Sequence, residues 1–318
     1  LNLRDITLFL LAALMLVGCS DVKGNYYLKA GEYRDGIAAL EPMYRENPAD
    51  ARAAYFLGRM HLALSESGKA LPYMEKAVQL KGDSADYRFW LGIAYWGQKK
   101  PDLERASYLR ALELEPDHLP SSLYLGHNYF DSKQWALALE RYDHVLSLYD
   151  WNRSALYNRA RTLVQLNKDK EAVEALETFL ERYSYGAYAI RATSALNALG
   201  DYRYRNFLIG NRNLPLKSVE FRRGAAEPVD EGFQALPILA TVLSDNASLK
   251  LHLVVHVAGD RALARQRVIA VRDYILGEEP DIGADRLLLS WFAEPEMIES
   301  ANGNITLNES VRFITAVE

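Results

Sequence analysis

The residues able to do chemistry in this 318-residue chain are few and poorly placed for catalysis. Six histidines, His61, His118, His127, His144, His252 and His256, show no metal-ligand spacing with a nearby carboxylate. His252 and His256 stand four apart, but inside an alternating run that reads as a strand, where they share its outer face. No Gly-x-Ser-x-Gly elbow, phosphate-binding loop or dinucleotide fingerprint occurs. The expectation is a protein that is not an enzyme and takes no metal or cofactor. A net charge of -5 offers no polycationic surface, which argues against a nucleic-acid partner.

The single cysteine points to a different chemistry, acylation. Alone, Cys19 can build neither an intramolecular disulfide nor a zinc cluster. Arg4 precedes an apolar run from Ile6 to Val17, which ends in Gly18-Cys19-Ser20-Asp21. A run of about a dozen residues is too short for a spanning helix, which needs roughly 20. It has the proportions of a secretory signal with a small residue before the cut. Leu16-Val17-Gly18-Cys19 resembles the lipobox of bacterial lipoproteins. That resemblance implies a signal peptide over 1–18, a lipidated N-terminus over 19–23 carrying palmitate-like chains on Cys19, and outer-membrane sorting by Ser20. Each buried acyl methylene contributes about 0.8 kcal/mol, so several chains on one residue would anchor the protein firmly. The expected location is the outer membrane, facing the periplasm.

The elements behind these residues follow a beat. Leu57-Gly58, Leu91-Gly92 and Leu125-Gly126 recur every 34 residues, each followed three positions on by His61, Tyr95 or Tyr129. Ala70 and Ala138, Met74, Tyr108 and Tyr142, and Ala77 and Ala111 keep the same register. A period of 34 belongs to two-helix solenoid repeats. Small residues let two helices approach, tyrosines fill the spaces between pairs, and Pro48 and Pro116 fall where a helix must stop. The pattern resembles tetratricopeptide (TPR) repeats: a truncated first copy with Gly31, Leu40 and Pro48, then 51–84, 85–118 and 119–152. A weaker fifth copy, about 153–186, has Ala160 in place of glycine, and 187–199 reads as a closing helix. The domain expected over 24–200 is an all-α TPR solenoid of about five repeats.

Carrying the family's inner positions onto this chain gives Tyr55, Arg59 and Leu62, then Phe89, Ile93 and Trp96. The following copies supply Leu123, His127 and Phe130, then Tyr157 and Arg161. Aromatic residues with interspersed arginine suit a protein-binding surface. The expected occupant is an extended or helical segment of an envelope protein.

After Gly200 the period fails, and the polar, turn-rich stretch 201–215 reads as a linker. Beyond it, Val219 and Phe221 open a strand, and Phe233, Leu236, Ala240 and Leu243 lie on one helical face with Pro237 as a kink or first-turn residue. Leu249 to Val257 alternates as a strand, Asp260 can cap a helix lined by Ala264, Val268, Val271 and Ile275, and strands follow at Leu287–Trp291 and Val311–Val317. The order β-α-β-α-β-β over 216–318 is a small two-layer α+β fold, so the chain is multidomain. Strings at Phe221–Ala225, Leu263–Val271 and Asp281–Leu287 resemble the OmpA-like domain of peptidoglycan-associated proteins. In that family an Asp ending the second strand and a helix Arg hold the diaminopimelate of the wall peptide. Arg267 keeps the Arg position, Asp260 is the displaced substitute for the Asp, and Asn308-Glu309-Ser310 replaces the usual Asn-Arg-Arg. A carboxylate beside an arginine suits a zwitterionic ligand.

The combination resembles the TPR accessory lipoproteins of envelope machines such as tight-adherence (Flp) pilus assembly. It implies a scaffold that binds an envelope partner for a pilus or secretion machine. Two alternatives stand beside it: a peptidoglycan-binding lipoprotein linking outer membrane and wall, and a TPR adaptor recruiting peptidoglycan enzymes.

Overall fold

The computed structural model describes residues 19–300 and 303–316. The expected signal peptide, 1–18, lies outside the described residues. The chain divides into two compact units, one up to Thr162 and one from Leu163.

In the first unit the beat becomes helix pairs: α1 (Cys19–Ala30) with α2 (Tyr33–Glu46), α3 (Ala51–Ala63) with α4 (Ser67–Leu80), α5 (Ala85–Gly97) with α6 (Pro101–Leu114), and α7 (Leu119–Asp131) with α8 (Trp135–Leu148). Helix α9 (Arg153–Gln165) follows. From α3 on, the first helix of each copy starts on a capping side chain. Asp50 accepts from the amides of Arg52 and Ala53, Ser84 from Tyr87, His118 from Ser121, and Asn152 from Ala155. These four caps are themselves 34 apart, and each satisfies amides that the helix start leaves orphaned. Inside each of these pairs the chain turns through a left-handed residue at one fixed place, Gly31 (φ 75°), Ser65 (62°), Lys99 (56°) and Lys133 (59°), and Asn167 (53°) after α9 keeps the same spacing. Only the first is glycine, so the others carry a backbone cost of roughly 1 kcal/mol each.

The glycine of the beat is where the two helices of a pair touch. A Cβ at Gly58, Gly92 or Gly126 would fall within 3.0 Å of the side chain of Met74, Tyr108 or Tyr142. All three of those side chains are fully buried. Gly24 in α1 stands on the same beat and faces the Phe56 ring just as closely. The first copy is therefore a complete pair of helices, not the truncated one expected. Lys23 replaces the leucine that precedes the other glycines, which hides the signal.

The second unit contains α10 (Asp169–Arg182) and α11 (Ala187–Ala198). The stretch expected as a linker is instead a β-hairpin, β1 (Tyr204–Ile209) pairing antiparallel with β2 (Arg212–Lys217) around Gly210 at φ 60°. Tyr204, Phe207, Ile209 and Leu216 are buried, and Asn206 Nδ2 donates to the Ile190 carbonyl of α11 at 3.0 Å. Its burial pattern does not alternate cleanly and Pro215 interrupts β2, so no period-2 run marks it as strand.

There follow α12 (Leu236–Asp245), with Pro237 in its first turn, β3 (Lys250–Val257), α13 (Arg261–Glu278), β4 (Leu287–Phe292), the hairpin of β5 (Glu296–Ser300) and β6 (Gly303–Leu307), and β7 (Glu309–Ala316). The main sheet has the order β4-β3-β7, with β3 parallel to β4 and antiparallel to β7. A parallel neighbour needs a crossover, and α13 provides it. Leu251, Leu253, Val255 and Val257 of β3 share one core with Ala264, Val268, Val271 and Ile275 of α13. Val219 and Phe221, expected as an opening strand, make only an isolated bridge from Phe221 to Pro228, because the chain turns at Gly224 (φ 68°) before a ladder can extend. The β5–β6 hairpin is an addition to the expected order.

Candidate functional site

In the first unit, α3, α5, α7 and α9 are joined by an unbroken series of aromatic and cationic contacts. Tyr55 of α3 stacks on Tyr87 of α5 with ring centres 4.4 Å apart. Arg59 lies 4.2 Å from the Trp90 ring centre, and its Nη1 donates to Tyr55 Oη at 3.2 Å. Phe89 of α5 meets Tyr124 of α7 edge-on at 5.3 Å, and Tyr124 meets His127 at 5.5 Å. His127 Nε2 reaches Ser154 Oγ of α9 at 3.4 Å. Arg161 of α9 then covers Phe130 of α7 at 4.5 Å and its own Tyr157 at 5.6 Å. The repeat puts equivalent residues of successive first helices side by side, so they form one continuous face.

The residues expected on this face divide into two groups. Trp96 is 60% exposed, Arg161 is exposed, and Arg59, His127 and Phe130 are half-buried. Tyr55, Phe89 and Tyr157 are instead buried; Tyr55 and Phe89 are spacers between neighbouring first helices, because the ring meets Tyr87 or Tyr124 of the next copy before it meets solvent. Tyr124, 36% exposed, takes the accessible role, with the half-buried Trp90 under Arg59 at the same position one copy earlier. Sequence reasoning missed them, although Phe56, Trp90 and Tyr124 are spaced by one period and each follows an expected position by one residue.

Burial governs the electrostatics here. Desolvation, with the nearby Arg161 charge, pulls His127 down to about 4, so its ring is neutral at physiological pH, where Nδ1 pairs with Tyr142 Oη at 2.8 Å. Burial likewise pushes Tyr87 up to about 12 and raises Tyr55, keeping both phenols protonated. Glu104 of α6, where the repeat favours a small residue, is buried and pushed up to about 7 by desolvation. Asn128 beside it is fixed by donating to the Pro101 carbonyl at 3.0 Å and accepting from Arg105 Nε at 2.8 Å.

The second unit does not assemble the expected pair of Asp260 and Arg267. Asp260 is exposed and caps α13, accepting from the Leu263 amide at 2.8 Å. Arg267 lies seven residues further along, about 10 Å at the helical rise, and is only 1% exposed. Its Nε donates to the Ala225 carbonyl at 2.8 Å, Nη1 to Glu309 Oε2 at 2.7 Å, and Nη2 to the Arg222 carbonyl at 3.4 Å, with the Phe221 ring 4.6 Å away. This guanidinium is engaged in holding the 222–225 loop to the start of β7. Glu296 is a second internal anchor at 3% exposure. Burial pushes its carboxyl up, but the bidentate Arg205 (2.8 and 2.9 Å), Ser310 and Arg312 outweigh this and hold it below the ordinary value. His252 and His256 bond separately, to Ser290 Oγ at 2.8 Å and to the Glu294 carbonyl at 3.0 Å.

Stacked helix pairs with glycine contacts, caps and turns at one period define a helical-repeat protein. Comparison with known proteins specifies the repeat: residues 22–85 and 61–118 match a tetratricopeptide-repeat family model, and 154–184 match a second model of the same description. The chain therefore carries TPR repeats. Among solved structures it is similar to PilW, a widely conserved type IV pilus biogenesis factor, at 20% identity and TM-score 0.51, over 56% of this chain and 86% of that one. It is similar to PilF of Pseudomonas aeruginosa at 20% identity and TM-score 0.51, over 57% of this chain and 86% of that one. At such identities the likeness is one of fold. A curated relative, anaphase-promoting complex subunit 3 of Schizosaccharomyces pombe, is 22% identical over 156 residues, 49% of this chain. The match spans about a quarter of that protein's length, 24%.

Proposed function

We propose that this protein is a non-enzymatic scaffold whose TPR face binds a partner protein of the bacterial envelope, serving a pilus or secretion machine. The observation that carries this reading is the continuous face across α3, α5, α7 and α9, on which Trp96 of α5 is 60% exposed and Arg161 of α9 lies over Phe130 of α7. Aromatic rings and arginines on a rigid helical support are the residue types that dominate protein interfaces. The fold it shares with PilW, a type IV pilus biogenesis factor, supports the choice of machine. The lipobox-like Leu16-Val17-Gly18-Cys19 supports an outer-membrane anchor.

Two measurements test the reading. A photo-crosslinking residue placed at Trp96 or Tyr124 in cells is expected to trap one discrete envelope protein, and the same residue on the opposite surface, at Leu109, is expected not to. Equal yields from both surfaces would remove the groove from the proposal. Metabolic labelling with palmitate is expected to mark the wild-type chain and to be lost with Cys19→Ser; label retained in that variant would overturn the anchor.

A further inference from the structure

The face carries two cations that the fold leaves without a counter-charge. Arg59 and Arg161 hold the same repeat position in the second and fifth copies, three periods apart. Among the described residues neither has a carboxylate within ion-pair distance, whereas Arg52 pairs with Asp21, Arg105 with Asp102 and Arg159 with Asp143 in the same unit. Nor are they free-swinging surface side chains. Arg59 is stacked on Trp90, and its Nε is buried with no hydrogen-bond partner. Arg161 lies over Phe130 and gives Nη1 to Asn158 Oδ1 at 2.9 Å. Stacking fixes the plane of each guanidinium before any ligand arrives, so pairing it loses little further side-chain freedom. Ile93 and the neutral His127 fill the same position in the two copies between them. The row thus has a cation at each end, with Trp90 and Tyr124 along it.

Resting on the groove reading above, we infer that the occupant is an acidic segment of the partner protein, with carboxylates meeting Arg59 and Arg161 and apolar side chains meeting Trp90 and Tyr124. A neutral or basic segment would exclude water from both guanidiniums without pairing them, which works against binding. An acidic one supplies the bidentate geometry for which a fixed guanidinium is suited.

The test is selection from a display library of random linear peptides on the immobilised full chain, followed by anisotropy measurements with the synthesised peptides. Enriched peptides are expected to be rich in Asp and Glu. Their affinity is expected to fall about tenfold with Arg59→Gln and again with Arg161→Gln, to fall comparably when their acids are changed to amides, and to recover in part with Arg161→Lys. Circular dichroism confirms the fold of each variant; should Arg59→Gln perturb it, the exposed Arg161 decides alone. Enriched peptides that are neutral or basic, acidic peptides indifferent to Arg161→Gln, or no enrichment at all would overturn the inference. The groove reading fails separately: peptides lost with Tyr124→Glu but not acidic leave the groove standing, whereas peptides untouched by both Tyr124→Glu and Trp96→Glu remove it.

Discussion

Glu104 shows how a single residue departs from a repeat at a measurable cost. Its carboxyl sits where the two-helix contact favours a small side chain, and burial pushes it up to about 7 from an ordinary 4.5. A raised carboxyl means that the folded state binds more protons than the unfolded state between those values. Stability is therefore highest below about pH 4.5 as far as this group is concerned, and declines as pH rises through 7. Replacing Glu104 by glutamine keeps the shape and removes the ionisation. Urea unfolding at pH 8 should find Glu104→Gln more stable, by up to about 3 kcal/mol, with the difference vanishing near pH 4.5. A variant less stable than wild type at pH 8 would show that the carboxylate is compensated in the fold. In the second unit, Arg267 does the work of a structural tie. Arg267→Ala should cost about 3 kcal/mol in urea unfolding, since it strands the Ala225 carbonyl and leaves a void in the core.

Among the elements, the helix pairs owe their spacing to glycine and their turns to a left-handed residue. Gly92→Ala drives a methyl group into Tyr108, which is fully buried and has no room to retreat. A loss of about 1–3 kcal/mol is expected. Gly68→Ala, also helical but with its nearest neighbour 3.7 Å away, should be neutral or stabilising by up to about 1 kcal/mol. Thermal unfolding of the two variants side by side separates close approach from helix propensity; equal effects would mean that the beat glycines are conserved in register for some other reason than contact. At the turns the sign reverses. Lys133 is exposed at φ 59°, so Lys133→Gly should stabilise by about 1 kcal/mol.

For the whole molecule, the proposed recognition lies on the TPR face, while the charged residues singled out by the C-terminal strings are engaged within their own fold. Because Arg267 is bound by Glu309 and two loop carbonyls, and Asp260 by its own helix start, a zwitterionic wall peptide finds no preformed pair there. Full-length protein mixed with purified sacculi is expected to stay in the supernatant after sedimentation. Co-sedimentation that disappears with Asp260→Ala would restore the wall-binding alternative.

Much of this architecture is written locally. Leu57-Gly58 and its copies, the caps Asp50, Ser84, His118 and Asn152, and the alternation of Leu251, Leu253 and Val255 each express a short-range rule, and the helices and the central strand follow from them. Gly24 and the 204–217 hairpin escaped because their neighbours, Lys23 and Pro215, blur the pattern while tertiary burial of Phe56, Phe207 and Ile209 overrides it. The site was legible only as a set of positions. Which ring at each position packs inward, as Tyr55 and Phe89 do, and which stays accessible, as Tyr124 and Trp96 do, depends on the distance to the next helix pair, and no spacing in the sequence records that distance. Likewise the sequence supplied Arg59, Arg161 and Arg267 as equal candidates. The tertiary structure alone decided that Arg267 is neutralised inside the fold while Arg59 and Arg161 find no carboxylate partner among the described residues, because pairing is set by what the folded chain brings within a few ångströms.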